Sequence, residues 1–272
     1  MKYILILLFG LFILSGCMQK KEPAAAKQGP SIVAKEVTYS ADGTALKGFL
    51  AYDSSMTGKR PGVIVVHEWW GLTNYAKDRA KMLAKLGYVA FAVNMYGNGI
   101  TADNPKDAGN LAAAATHSMD TAMARFNAGV NILKDQPETD TSKIAAIGYC
   151  FGGGIVLDMA LAGDNLDGVV SFHGDLPTGK VKNPKDVKAK ILVCTGEADP
   201  FNPKKKVDAF EKAMSAAKVD CQVISYPGAE HSFTNPAADS LGKKFNLPIA
   251  YNKQADKKSW AAMQTFFDQI FK

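Results

Sequence analysis

Residues 144–154 read Ile-Ala-Ala-Ile-Gly-Tyr-Cys-Phe-Gly-Gly-Gly, and this stretch is the most informative about the fold. Ile144–Tyr149 is an apolar run of strand length, as in strands buried on both faces of a parallel sheet. Gly148 and Gly152 lie two positions on either side of Cys150, which is the G-x-C-x-G pattern of a sharp strand-to-helix turn. Side chains at those two positions would collide across such a turn, so glycine is required at both.

Similar apolar runs recur outward from this stretch and alternate with helical segments. The strand-like runs are Gly62–Val66, Tyr88–Asn94, Gly168–His173, Ile191–Thr195 and Gln222–Tyr226. The helical segments carry apolar residues three or four positions apart, at Ala76, Ala80 and Leu83, at Met119, Met123, Phe126, Val130 and Leu133, at Val207, Phe210, Met214 and Ala217, and at Trp260, Met263, Phe267 and Ile270. We interpret these faces as core. The alternation predicts an α/β domain with a mostly parallel sheet and helices on both faces.

A hairpin is predicted before the first parallel strand. The runs Ile32–Tyr39 and Thr44–Ala51 flank Ala41-Asp42-Gly43-Thr44, a sequence typical of a tight turn. No repeat or second boundary is visible after it, so residues 31–272 are expected to form one domain.

Reactive side chains follow the ends of several predicted strands, where parallel sheets bind their ligands. Cys150 is the candidate nucleophile, because the N-terminus of the helix after it favours a thiolate. Chain order then predicts Asp199 as the orienting acid and His231 as the general base. Two alternatives stay open: Glu197 as the acid and His173 as the base.

Four motifs in order, His67-Glu68-Trp69-Trp70-Gly71, residues 148–153, Glu197-Ala198-Asp199-Pro200 and His231-Ser232-Phe233, together resemble the dienelactone hydrolase family. The resemblance implies an α/β-hydrolase fold over residues 31–272 and a Cys-His-Asp triad. It also implies an oxyanion hole formed by the backbone amides of Phe151 and Trp69. Finally, it implies that Glu68 interacts with the resting thiol and helps to activate it when substrate binds.

The sequence departs from the family where dienelactone-cleaving members hold the substrate carboxylate with arginines. Residues 95–99 and 234–236 contain no arginine, and asparagine cannot supply the missing charge. We therefore expect a small carboxylic ester, lactone or thioester that is neutral or is held in another way. The candidate pocket residues are Trp70, Tyr96, Phe233 and Asn235; the aromatic ones could equally be wall packing.

The N-terminus is predicted to be a lipoprotein leader. Lys2 precedes the apolar run Tyr3–Leu14, which is too short to span a bilayer but has the length of a signal-peptide core. Leu14-Ser15-Gly16-Cys17 resembles a bacterial lipobox. The resemblance implies that residues 1–16 are a signal peptide and that Cys17 carries lipid at the start of a flexible tether, residues 17–30. The protein is then expected to be lipid-anchored to the cell envelope outside the cytoplasm, which in a Gram-negative cell would be the outer membrane or periplasmic face.

Composition excludes several other classes of function. The net charge of +6 comes from scattered residues, and its densest run, Lys204–Lys206, is interpreted as a solvated helix start and not as a nucleic-acid site. The four histidines lie in separate segments without metal-ligand spacing, so neither metal nor cofactor is predicted. No C-x-x-C motif suggests a thiol redox protein. We predict that Cys194 and Cys221 are free and buried.

The sequence therefore favours a cysteine-dependent hydrolase. The alternative is a non-catalytic envelope lipoprotein that binds a small molecule or a partner on the same fold.

Overall fold

Strands and helices alternate through residues 29–272, the part of the chain that the computed structural model describes. The strands are β1 (Ile32–Ala41), β2 (Thr44–Asp53), β3 (Arg60–Val66), β4 (Val89–Val93), β5 (Thr139–Tyr149), β6 (Gly168–Phe172), β7 (Lys190–Gly196) and β8 (Cys221–Tyr226). The helices are α1 (Asn74–Lys85), α2 (Pro105–Ala115), α3 (Met119–Lys134), α4 (Phe151–Ala162), α5 (Lys204–Ala216), α6 (Ala238–Phe245) and α7 (Lys253–Ile270). Every predicted strand is present, although β5 begins earlier than expected.

One sheet contains all the strands of this range, in the order β1-β2-β4-β3-β5-β6-β7-β8. β1 and β2 form the predicted antiparallel hairpin, and β2 also pairs antiparallel with β4. The neighbours from β4 to β8 are parallel. The predicted architecture, a mostly parallel sheet with an N-terminal hairpin, is confirmed.

The sheet is buried on both faces because successive residues of a strand point to opposite sides. In β3, Ile64 and Val66 join the apolar core that includes residues of α3, α4 and α5. Val63 and Val65 join the opposite core, which includes residues of α1 and α7. All four side chains are fully buried, so the helices cover both faces as predicted.

The predicted helical faces need two corrections. Met119, expected in the core, is 45% exposed because it begins α3 at the helix end; the buried face of α3 contains Phe126, Val130 and Leu133. The helices α2 and α6 were not predicted, because alanine gives α2 a weak apolar pattern and α6 has only 8 residues. Lys204 begins α5 and is exposed, as predicted.

Cys194 and Cys221 are free, in neighbouring parallel strands. Cys221 pairs with Ile191, so Cys194 lies three residues further along β7. That offset is about 10 Å at the rise of a strand, whereas a disulfide needs Cα atoms within about 7 Å. Cys194 is buried as predicted, but Cys221 is only half-buried, because β8 is the edge strand.

Two helix glycines give a test of how closely α3 packs on the sheet. A Cβ added at Gly129 in α3 would lie 2.2 Å from Val93 Cγ1, whereas one added at Gly109 in α2 meets nothing within 4 Å. We expect Gly129→Ala to lower the free energy of unfolding by about 1–3 kcal/mol through overpacking. Gly109→Ala, the matched control, should raise it by about 0.5–1 kcal/mol through helix propensity. Urea unfolding measures both, and equal stabilisation by the two changes would contradict this packing.

Candidate active site

The turn between β5 and α4 presents Cys150 in a strained backbone conformation. Its φ is +52° and its ψ is −115°, a region that side-chain-bearing residues rarely adopt. A Cβ at Gly148 would lie 2.0 Å from the carbonyl oxygen of Gly152, and one at Gly152 would lie 2.3 Å from the carbonyl oxygen of Val66. The turn therefore fits only because both flanking residues are glycine. The thiol that it presents is half-buried.

Two strand-end loops bring a histidine and a carboxylate to this thiol. Nε2 of His231, after β8, lies 3.1 Å from Cys150 Sγ. Nδ1 of the same ring lies 2.9 Å from Oδ2 of Asp199, after β7. Asp199 is buried and also accepts a hydrogen bond from the Phe201 N–H at 2.8 Å. The structure thus brings together the three side chains that chain order singled out.

Electrostatics in this trio favour a positive imidazole. Burial alone would lower the pKa of His231, but the adjacent Cys150 sulfur and the Asp199 carboxylate raise it to about 10. Burial would raise the pKa of Asp199, yet its hydrogen bond with His231 keeps it below the ordinary value. The imidazole therefore lies between the sulfur, at 3.1 Å, and the carboxylate, at 2.9 Å.

The two alternative partners occupy other positions. Glu197 is exposed, and its loop neighbour Asp199 is the carboxylate that meets the histidine. His173 is fully buried, and both of its nitrogens are engaged: Nδ1 accepts the Cys150 backbone N–H at 3.1 Å, and Nε2 donates to Thr234 Oγ1 at 2.6 Å. Burial also holds the pKa of His173 well below its ordinary value. His173 therefore contacts the backbone of the turn and leaves the sulfur to His231.

Glu68 lies beneath the site but does not contact the thiol as expected. Its Oε2 accepts a hydrogen bond from Asn235 Nδ2 at 2.6 Å, and its Oε1 has no hydrogen-bond partner in the described part of the chain. The expected resting contact with Cys150 is absent among the hydrogen bonds of residues 29–272, because Asn235 holds the carboxyl and His231 occupies the sulfur. Burial raises the pKa of Glu68 to about 7, only partly offset by the Asn235 bond.

The two residues expected to form the oxyanion hole, Phe151 and Trp69, both line the cavity at Cys150. Phe151 is the first residue of α4, and Trp69 lies in the loop after β3. Neither N–H donates to another group within residues 29–272. Both amides therefore stay unbonded at residues that line the cavity, where the family resemblance expects an oxyanion hole.

An apolar cavity of about 280 Å³ opens over the sulfur. It is lined by Trp69, Ala112, Cys150, Phe151, Asp175, Phe201, His231, Ser232, Leu247 and Ile249. No lysine or arginine is among these lining residues of the described chain. The cavity therefore accepts a small molecule through apolar contact around one reactive centre.

Four residues predicted to line the pocket are placed outside it. Trp70 is buried and stacks on Phe245, with ring centroids 5.8 Å apart. Tyr96 donates its hydroxyl to the carbonyl oxygen of Trp69 at 2.9 Å. Their rings pack around the loop after β3, so the wall-packing alternative fits both residues.

Phe233 and Asn235 are likewise part of the wall behind the cavity. Phe233 is fully buried and packs edge-on against His173, with centroids 5.2 Å apart. Asn235 points at Glu68 instead. Aromatic character alone could not distinguish a lining residue from a packing residue, so the wall alternative is the correct one for Phe233.

The sequence analysis missed several lining residues, which share no motif. Ala112 lies on the unpredicted α2, and Phe201 follows Asp199 with its ring 4.9 Å from that of His231. Leu247 and Ile249 reach the cavity because their segment pairs with the backbone at His231. Ile249 and His231 form a parallel β-bridge, and the N–H of Ala250 donates to the carbonyl oxygen of His231 at 3.2 Å. Only the three-dimensional return of this segment to the site reveals them.

Within residues 29–272, no group of three or more histidine, cysteine, aspartate or glutamate side chains is arranged to hold a metal ion. In the same range, no helix combines the length and the apolar character needed to cross a membrane.

Comparison with known proteins identifies the family. Residues 46–271 match the dienelactone hydrolase family, and the chain belongs to that family. It is similar to the protein usf of Aquifex pyrophilus, with 33% identity over 80% of this chain and 97% of the relative. It is also similar to a protein of Aquifex aeolicus named "Putative carboxymethylenebutenolidase", with 29% identity over 87% of this chain and 98% of the relative.

A solved structure supports the same conclusion. The crystal structure of a dienelactone hydrolase-like promiscuous phosphotriesterase from metagenomic libraries superposes with a TM-score of 0.82 and 34% identity, covering 89% of this chain and 99% of that one. The fold is therefore that of the α/β hydrolases, and the protein is a hydrolase of the esterase type.

The raised pKa of Glu68 predicts how the free energy of unfolding depends on pH. Between pH 4.5 and about 7 the folded protein keeps a proton on Glu68 that the unfolded chain has released, so this carboxyl costs stability as pH rises through that window. Relative to wild type, Glu68→Gln should gain up to about 3 kcal/mol in the free energy of unfolding across the window. Urea unfolding at several pH values measures the difference.

The matched control for this test is Glu197→Gln, which removes an exposed carboxylate near the same site. The same pH-dependent gain in both variants would contradict the assignment to buried Glu68.

Proposed function

We propose that the protein hydrolyses small carboxylic esters, lactones or thioesters through an acyl-cysteine intermediate. The single observation that carries the proposal is the hydrogen-bonded series Cys150–His231–Asp199 at the floor of an apolar cavity. Family membership shows a hydrolase of the esterase type. The alternative of a non-catalytic binding lipoprotein does not account for that series or for the strained turn that presents the sulfur.

In the acylation step, the Cys150 sulfur attacks the substrate carbonyl carbon and forms a C–S bond. The carbonyl oxygen takes the negative charge and accepts hydrogen bonds from the Phe151 and Trp69 amides. When the intermediate collapses, the bond to the leaving oxygen or sulfur breaks, and His231 donates its Nε2 proton to that leaving group. Asp199 holds the imidazole through Nδ1 during this transfer.

In the deacylation step, water attacks the acyl-cysteine. His231, now neutral, takes one proton from the water through Nε2. The C–S bond then breaks, releasing the carboxylic acid and returning the thiolate and imidazolium of the resting pair. For a lactone the leaving alkoxide stays attached to the acyl group, so the single product is a hydroxy acid.

The lining of the cavity supports an uncharged substrate. Arginine is the usual clamp for a substrate carboxylate, and Asn235, which stands at one of the family's arginine positions, is bonded to Glu68. Apolar groups of Phe151, Leu247 and Ile249 instead surround the thiol. Neutral phosphotriesters meet the same requirement, and the phosphotriesterase named above is a relative at 34% identity. They are a second candidate substrate class.

A matched pair of cysteine variants tests the nucleophile. Cys150→Ala should abolish hydrolysis of p-nitrophenyl acetate, because no acyl-cysteine can form. Cys221→Ala, at the half-buried edge-strand cysteine, should keep wild-type turnover. Release of p-nitrophenol measures both variants, and the same assay with the phosphotriester paraoxon tests the second class. Unchanged turnover of the acetate by purified Cys150→Ala would overturn the proposal.

We further propose that the hydrolase domain, residues 31–272, is held at the cell envelope outside the cytoplasm by a lipid on Cys17. This proposal rests on the leader pattern alone, since residues 1–28 lie outside the described part of the chain. Cleavage after residue 16 would leave residues 17–30 as a tether.

Expression in a bacterium tests the anchor. Wild type should partition with membranes and carry a mass increment of attached lipid on a peptide that begins at Cys17. Cys17→Ser should lose the increment and become extractable without detergent. Wild-type protein recovered without lipid, or with residues 1–16 still attached, would contradict the proposal.

A further inference from the structure

His67 is a buried histidine whose hydrogen bonds fix its tautomer. Its Nε2 lies 3.1 Å from the backbone N–H of Met95, which can only donate, so Nε2 is the acceptor. The hydrogen is therefore on Nδ1, which donates to the carbonyl oxygen of Glu68 at 2.6 Å. The ring is fully buried, and burial lowers its pKa to about 4. His67 is thus neutral at pH 7 and does not contact the reacting sulfur.

The carbonyl that His67 holds belongs to the same peptide unit as the Trp69 amide. A trans peptide is planar, and its N–H points opposite to its C=O; the described chain has no cis peptide bond. The Glu68 carbonyl also accepts the Gly71 N–H at 3.1 Å. These two donors fix one end of the peptide plane, and the other end is the Trp69 N–H. The direction of that N–H is therefore set by His67 and Gly71.

His67 also contacts the first two residues of α4, Phe151 and Gly152. Its own carbonyl oxygen accepts the N–H of Gly152, in the first turn of α4, at 3.0 Å. Its ring stacks on the ring of Phe151, with centroids 5.9 Å apart and an interplanar angle of 20°. One residue thus holds the peptide before Trp69 and the helix turn that begins with Phe151.

We propose that His67 is a positioning residue for the oxyanion hole, holding the Trp69 and Phe151 amides toward one point above Cys150. The inference rests on the proposed acyl-cysteine chemistry. An oxyanion hole works only when its donors are already aimed at the place where charge develops. Loss of the His67 bond leaves the Glu68 carbonyl with one donor, so the peptide plane can tilt and the Trp69 N–H turns away from the oxyanion.

The test compares two reactions of the same sulfur. Acylation by p-nitrophenyl acetate forms an oxyanion, whereas alkylation by iodoacetamide displaces iodide at a saturated carbon and forms none. We expect His67→Phe, which keeps a ring in the stack, to slow the acylation burst about 10–100-fold. Its rate of alkylation at Cys150 should stay within about twofold of wild type, and the acylation loss should appear in kcat more than in KM.

A second variant distinguishes the loss of the His67 hydrogen bond from the loss of its packing. In the His67→Asn variant, the side-chain amide nitrogen stands near the position of Nδ1 and can donate to the Glu68 carbonyl. This variant should recover most of the acylation rate although it fills less space than phenylalanine. If His67→Phe does not yield folded protein by circular dichroism, His67→Leu takes its place in the comparison with His67→Asn.

Three results would overturn the inference: acylation unchanged in His67→Phe, acylation and alkylation slowed equally, or no recovery in His67→Asn. Failure of the underlying chemistry looks different. In that case, iodoacetamide would leave the wild-type esterase active, or Cys150→Ala would still turn over, whatever residue stands at position 67.

Discussion

The site depends on the close approach of β3 to the first turn of α4. Gly152 has no side chain, so its backbone lies directly against the carbonyl groups of Val66 and His67. This contact allows α4 to begin next to the end of β3. That approach forces Cys150 into its strained conformation and brings the loop after β3, with Trp69, beside the start of α4. Any larger residue at position 152 would push α4 away from the Val66 and His67 carbonyls. The glycine is therefore required by this close packing.

Charge in the cavity is arranged around one ion pair. His231 is held positive between a sulfur and the Asp199 carboxylate, with its pKa raised to about 10. The two other buried histidines, His67 and His173, are kept neutral by burial. The ring of His173 lies 5.3 Å from that of His231, so its neutrality avoids repulsion between two adjacent charged imidazoles. Each neutral ring also accepts a backbone N–H: His67 from Met95, and His173 from Cys150 in the turn.

Much of the fold followed from the sequence because buried parallel strands are continuous apolar runs and the hairpin has a clear turn. The trio of Cys150, Asp199 and His231 could be predicted from the sequence, because local patterns show where each strand ends and which residue comes next. The lining of the cavity could not be predicted in this way. Its walls come from Ala112, on a helix without an apolar stripe, and from Leu247 and Ile249, whose segment returns to His231 by backbone pairing. Trp70, Tyr96 and Phe233 were placed at the pocket by residue type, whereas packing buries them behind it.

Asn235 determines the electrostatic surroundings of Glu68. An arginine at this position would supply a charge for a substrate carboxylate and would also stabilise an ionised Glu68. Asparagine donates a hydrogen bond without charge, so burial dominates and the pKa of Glu68 rises to about 7. Near neutral pH the carboxyl is then partly protonated. Asparagine at this position thus satisfies Glu68 with an uncharged donor, and the cavity lining within the described residues contains no cationic side chain that could bind an anion.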